Sequence, residues 1–233
     1  YCVNLVGIMN KKVEKFYYEN YREYPNGKTQ ALNIYQNNMG RLEGGRQHDP
    51  IYNDENARRQ IYTFGCSWTY GWDIQQQQQT FTHLLGDENT AVHNYGAGGT
   101  GLDFAVKTLS EVYMPTSTRQ IFIITIPHLF RRTWFTDYGE VHKAWQVKEL
   151  EGINEYNDYY NFLHNYELLN RFVGRDKIIW GTWDGDLPQD MFDVIWDKVE
   201  DKTDDDLHPG SKAHEYYAER LKGIIKEKYE STR

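Results

Sequence analysis

The 233-residue chain has little that would tie it to a membrane, a nucleic acid or an oxidising compartment. No run approaches the roughly 18 consecutive apolar residues that a membrane-spanning helix needs. Residues 1 to 8 (Tyr-Cys-Val-Asn-Leu-Val-Gly-Ile) are mildly apolar, but they are too short for a signal peptide and lack a basic leader. Cysteine occurs only at Cys2 and Cys66, the first in what reads as a flexible terminus, so no structural disulfide is expected. Basic charge is also scarce. Lys+Arg number 26 against 34 Asp+Glu, for a net charge of −8, and no basic stripe is visible, which argues against a nucleic-acid partner. The chain opens on Tyr rather than Met, as a fragment or a processed product would, and a soluble protein of a reducing compartment is the expectation.

Two further absences narrow the chemistry. The glycine-rich stretch Gly96-Ala97-Gly98-Gly99-Thr100-Gly101 contains no Gly-Lys-Ser/Thr, and no acid stands persuasively at the dinucleotide-binding offset, so a phosphate cradle is disfavoured. His93, His128 and His142 match no metal-ligand spacing and read as structural histidines. No metal or other cofactor is expected.

Aromatic residues are plentiful, at 15% of the chain with 19 Tyr and 7 Trp. Such amphipathic rings suit a carbohydrate-facing or polar binding surface, and they equally suit a polar-leaning core in which Tyr replaces Leu. The length fits one sizeable domain. Residues 1 to 58 are polar and weakly periodic, with a short helix expected over 10 to 24 and loop over 25 to 58. They read as an N-terminal arm ahead of a domain spanning 59 to 233.

Within that domain, strands and helices alternate. Gln60 to Phe64 reads as a strand. A helix follows with Phe81, Leu84 and Leu85 on one side and Gln75 to Gln79 as its solvated first turns. Ala91 to Tyr95 is a second strand. Leu102, Ala105, Val106, Leu109 and Val112 form one helical stripe, stopped by Pro115. Gln120 to Ile126 is continuously apolar, as a strand covered on both faces must be. Pro127 to Gly152 is irregular, aromatic and basic. A long helix is expected from Asn154 to Val173, a strand from Lys177 to Trp180, a short helix from Pro188 through Trp196, and a last helix carrying Tyr217, Leu221 and Ile224. This order predicts a three-layer α/β/α sandwich with a mainly parallel, flavodoxin-like sheet and a ligand site at the carboxyl ends of its strands.

Three stretches converge on that edge. Gly65-Cys66-Ser67 breaks a buried strand in a tight turn, a setting that can present a serine as nucleophile. Asn94-Tyr95-Gly96-Ala97-Gly98-Gly99 ends the second strand. Asp205-Asp206-Leu207-His208-Pro209 precedes the last helix, with an acid three residues before a histidine, so that Asp205 can orient one imidazole nitrogen while the other faces Ser67. Asp204 and Asp206 flank Asp205, and a plain solvated acidic loop is the competing reading. Cys66 is expected to point into the core.

Together these stretches resemble the SGNH (GDSL-type) hydrolase family over residues 60 to 229. Gly65-Cys66-Ser67 is similar to the family's Gly-Asp-Ser block, Asn94-x-Gly96-x-x-Gly99 to its second, and Asp205-x-x-His208-Pro209 to its last. The resemblance implies that Ser67 is the nucleophile, His208 the base and Asp205 its orienter, with the backbone N–H groups of Ser67 and Gly99 as oxyanion hole. The Gly-Cys-Ser-Trp-Thr-Tyr-Gly turn resembles those of phage-encoded and environmental members, so a virus-encoded soluble protein stands beside a cytoplasmic one.

Two departures bear on activity. Cys66 replaces the aspartate of the first block. After the strand ending at Ile126 the chain reads Thr125-Ile126-Pro127-His128, without the family's Gly-x-Asn-Asp and its oxyanion-binding asparagine. His128, Arg131, Arg132 or an inward-turned Asn94 are the candidate replacements, and Trp68, Asn94, His128, Arg131, Arg132 and Trp134 are expected to line the substrate. The reading is a serine esterase cleaving short acyl esters, acetyl groups on sugars foremost, with a small-molecule or glycan ester as partner. The alternative is a weak or inactive binding and assembly module on the same fold.

Overall fold

The computed structural model describes residues 57–74, 76–96, 100–117, 119–126, 129, 131, 133–135, 141–143, 155–183, 187–197, 200–204 and 207–230. The arm expected over 1 to 58 lies outside them up to residue 56. Among the described residues the strands are β1 (Arg59–Gly65), β2 (Thr90–Gly96), β3 (Gln120–Ile126), β4 (Thr133–Phe135), β5 (Val141–Lys143), β6 (Ile178–Thr182) and β7 (Val194–Ile195). The helices are α1 (Ser67–Tyr70), α2 (Phe81–Leu84), α3 (Leu102–Val112), α4 (Glu155–Leu169) and α5 (Ser211–Glu230).

Five strands form one sheet in the order β2-β1-β3-β6-β7, and every neighbouring pair is parallel. The strip β4–β5 is a separate antiparallel ribbon inside the stretch read from sequence as irregular. A parallel sheet must be covered on both faces, and the strand sequences meet that need. All seven residues of β3 are buried. Alternate side chains serve opposite sides: Phe64, Phe122, Ile124 and Trp180 join the layer of α3 and α4, whereas Ile61, Ile121, Ile123 and Ile179 join that of α2 and α5. Helices thus pack on both faces, giving the predicted three-layer α/β/α sandwich with its flavodoxin-like strand order.

Three expectations change. The expected solvated helix over the glutamines is replaced, among the described residues, by a 3₁₀ turn at Gln77–Gln79 ahead of the four-residue α2, whose Thr80 cap accepts the His83 N–H. The long helix is regular only to Leu169 and closes in a wider π turn over Asn170–Gly174, with Gly174 at a φ of 102° as its stop. Pro188 opens only the 3₁₀ turn Gln189–Met191; the chain then extends into β7 because Val194 and Ile195 pair with Gly181 and Thr182 at the sheet edge. That edge pairing overrides the local helical pattern.

In this strand order the chain reverses direction of winding between β1 and β3, the position at whose carboxyl ends open α/β sheets bind their ligands. The residues that follow β1 therefore stand at the topological switch point. Among the described residues no helix is long and apolar enough to cross a membrane.

Candidate active site

Ser67 leaves β1 through Gly65 and Cys66 and starts α1. The turn is closed by hydrogen bonds from Tyr70 N–H to the Cys66 carbonyl and from Gly71 and Trp72 N–H to the Ser67 carbonyl, each 3.0 Å. Gly71 ends α1 at a φ of 80°, which a residue with a Cβ rarely adopts. Cys66 is a free thiol with no exposed surface, directed into the core as expected. Ser67 itself is only 7% exposed, so its hydroxyl stands in a recess rather than on an open surface.

The sequence requires glycine on both sides of this turn. A Cβ on Gly65 would meet the Thr69 hydroxyl and, at 2.8 Å, the Thr125 carbonyl oxygen. A Cβ on Gly96 would meet the Tyr70 amide nitrogen and, at 2.7 Å, the Thr69 carbonyl carbon. Strand β2 thus lies against the backbone of α1 at a separation that no side chain permits.

Asn94 locks that contact. It is 6% exposed, and its amide donates to the Thr69 carbonyl at 3.1 Å and the Thr82 hydroxyl at 3.2 Å. Its Oδ1 accepts the Gly96 N–H at 2.8 Å. The expectation that Asn94 lines the substrate or turns inward to replace the missing oxyanion donor gives way here: its amide donates to the Thr69 carbonyl of α1 and the Thr82 hydroxyl of α2. Thr100 adds a hydrogen bond to the Gly65 carbonyl at 3.4 Å, tying the chain after β2 to the end of β1.

His208 arrives from the other end of the chain. Its Nε2 lies 2.9 Å from Ser67 Oγ, a nucleophile–base distance that needs no rearrangement. The segment carrying it is braced against residues 201 to 203. Thr203 N–H donates to the His208 carbonyl at 2.9 Å, Lys202 and Pro209 form an antiparallel bridge, and Gly210 N–H donates to the Asp201 carbonyl at 2.8 Å. Asp201 Oδ2 in turn accepts the Lys212 N–H at 2.8 Å, capping the first turn of α5 from ten residues upstream. The Trp72 ring lies 6.2 Å from the His208 imidazole.

Beside the serine, Trp68 stacks on Trp183 with ring centroids 4.2 Å apart, and Trp196 approaches Trp68 at 5.5 Å. Lys202 Nζ stands 5.5 Å from the Trp68 centroid and the Arg131 guanidinium 5.9 Å from that of Trp183. Arg131 therefore reaches the same aromatic stack as Trp68, through Trp183. Trp72, Trp183 and Lys202 were not singled out by sequence, although Trp183 directly follows β6, a position at the sheet edge where ligand-facing residues gather. Gly99, His128, Arg132 and Asp205 lie outside the described residues; Trp134 belongs to β4.

His93 is structural, as expected. It stacks on Tyr62 at 4.6 Å, and burial pushes its pKa down to about 4, so it is neutral near pH 7. Among the described residues no cluster of His, Cys, Asp or Glu could hold a metal ion.

No family model matches the chain, and no curated protein matches it. Solved structures resemble it in part. A member of the lipolytic G-D-S-L family from Veillonella parvula is 16% identical, with a TM-score of 0.35 over 72% of this chain and 73% of that one. A psychrotrophic esterase from Pseudoalteromonas is 14% identical, with a TM-score of 0.44 over 72% and 97%. A family two carbohydrate esterase from Cellvibrio japonicus is 10% identical, with a TM-score of 0.41 over 77% and 64%. The assignment of the sandwich rests on this chain's own strand pairing and two-sided core, not on these distant likenesses.

Proposed function

We propose that the chain is a serine esterase of SGNH type that hydrolyses short acyl esters, acetyl groups on carbohydrate among them. The observation that carries this reading is the 2.9 Å approach of His208 Nε2 to Ser67 Oγ at the carboxyl edge of the sheet. In the proposed cycle Ser67 Oγ attacks the ester carbonyl carbon while His208 takes its proton. The bond to the alcohol breaks, and His208 returns the proton to the departing oxygen. Water then adds to the acyl-enzyme with His208 again as base, the bond to Ser67 breaks as His208 returns the proton to Ser67 Oγ, and the free acid leaves. Asp205 orients the imidazole in this scheme, and the N–H groups of Ser67 and Gly99 hold the oxyanion. The Ser67 N–H suits that role because the first N–H groups of a helix have no partner within it. The proposed cycle runs on these residues alone.

A fluorophosphonate probe tests the reading. Labelling of the wild type that is lost in Ser67→Ala and slowed in His208→Gln, with turnover of para-nitrophenyl acetate, is the expected result. A folded protein that neither labels nor turns over the ester overturns it.

A further inference from the structure

The two cations beside the tryptophan pair are not explained by ester cleavage alone. The chain carries a net charge of −8, and Asp and Glu outnumber Lys and Arg, yet among the described residues neither Lys202 nor Arg131 makes an ion pair. Among the described residues, Arg131 Nη1 is buried and has no hydrogen-bond partner. A guanidinium N–H withdrawn from water without an acceptor is costly to keep, and the π faces of tryptophan offset only part of that cost. Lys202 is exposed, but its backbone is bridged to Pro209, the residue after His208, and its side chain reaches over Trp68, the residue after Ser67. Positive charge is therefore attached, through one residue on each side, to both members of the Ser67–His208 pair.

We propose that Arg131 and Lys202, set around the stacked Trp68–Trp183 pair, form an anion-binding subsite that selects esters carrying a carboxylate. This inference rests on the esterase reading for its place in a reaction, but the binding itself does not depend on turnover. The guanidinium offers N–H donors matched in geometry to a carboxylate, and the lysine adds a mobile charge at the solvent side. The tryptophan edges supply apolar surface for the part of the substrate that bears the acid. Lys202 ties the subsite to the nucleophile and the base through Trp68 and Pro209, and the subsite leaves their protons to the cycle above.

Matched pairs of esters test it. On the alcohol side, para-carboxyphenyl acetate is compared with its neutral amide, para-carbamoylphenyl acetate; on the acyl side, phenyl hemisuccinate is compared with phenyl succinamate. The expected result is a kcat/KM preference of roughly ten- to a hundredfold for the acid in at least one pair, the range of a charge-assisted hydrogen bond. That preference shrinks as salt is raised, and it falls towards unity in Arg131→Gln and in the exposed Lys202→Gln. Lys222→Gln, which alters an exposed lysine paired with Glu219 on α5, keeps it. Tryptophan fluorescence titrated with para-hydroxybenzoate against para-hydroxybenzamide reads binding without chemistry. Preferential binding of the acid, lost in Lys202→Gln, supports the subsite even if no ester is turned over and the esterase reading fails. Equal binding of acid and amide, together with equal turnover where turnover occurs, overturns it.

Discussion

The side-chain amide of Asn94 donates to the main-chain carbonyl of Thr69 at 3.1 Å, so a residue of β2 holds the turn that carries Ser67. With Oδ1 accepting the Gly96 N–H at 2.8 Å, one side chain clamps α1 to the neighbouring strand. Asn94→Ala leaves buried polar groups unpaired on both elements, at a cost of about 1–3 kcal/mol each. The expected outcome is a lower urea midpoint and a fall in kcat with KM little changed, because the serine shifts while the binding surface stays. Unfolding and steady-state kinetics on the same variant check both.

The close packing of β2 against α1 predicts that Gly96→Ala is more disruptive than its size suggests. The new methyl would press on the Thr69–Tyr70 peptide, backbone that cannot swing aside. Overpacking of this kind costs about 1–3 kcal/mol. Slower fluorophosphonate labelling should accompany the loss of stability. A variant as stable and as reactive as the wild type would mean that the turn is more compliant than its hydrogen bonds indicate.

Removing the base has a distinct signature. His208→Gln should lower kcat by about 10⁴-fold or more, as loss of a triad member does in other serine hydrolases. Its melting temperature should stay near that of the wild type, since the segment is braced through main-chain groups: Thr203 N–H bonds the carbonyl of residue 208, not its ring.

Asp201 should matter to both stability and rate. Asp201→Ala removes the acceptor for the Lys212 N–H at the start of α5, a capping loss of about 0.5–2 kcal/mol. It also loosens the segment that carries His208. Asp201→Asn keeps an acceptor oxygen and should restore most of the melting temperature and most of the turnover; equal losses in the two variants would assign the effect to charge instead of the cap.

His93 supplies a pH dependence of stability. Its pKa is about 4 in the fold and about 6.5 when unfolded, so between those values the unfolded chain binds a proton that the fold does not. Stability is complete above about pH 6.5 and declines as pH falls towards 4, by about 3 kcal/mol from this residue. His93→Phe preserves a ring on Tyr62 and should flatten that part of the profile in urea titrations. An unchanged slope would place the acid sensitivity elsewhere.

Much of the architecture is legible in the sequence. Gln120–Ile126 reads as a buried strand because seven residues without a charge suit a strand covered on both faces, and the fold covers it so. Leu102, Ala105 and Leu109 recur at helical spacing and are buried along α3. The spacing of Ser67 and His208 relative to strand and helix ends pointed to one sheet edge. The failure at Pro188–Trp196 has a tertiary cause. Val194 and Ile195 are extended through their pairing with β6, a contact that no local pattern encodes.

The sequence by itself determined the order of β1, β2, β3 and β6 and of the longer helices, the two-sided core and the pair of residues proposed for acyl transfer, since hydrophobic period and turn chemistry are local properties of the chain. Tertiary structure alone decided that Asn94 serves the Thr69 carbonyl and that Asp201 caps α5. It also placed Trp183 against Trp68 and Lys202 above it. Each of those contacts joins segments whose relative position depends on strand register and on loop closure, which short-range spacing does not specify. The turn at Ser67 is thus a local motif whose setting is built by distant residues.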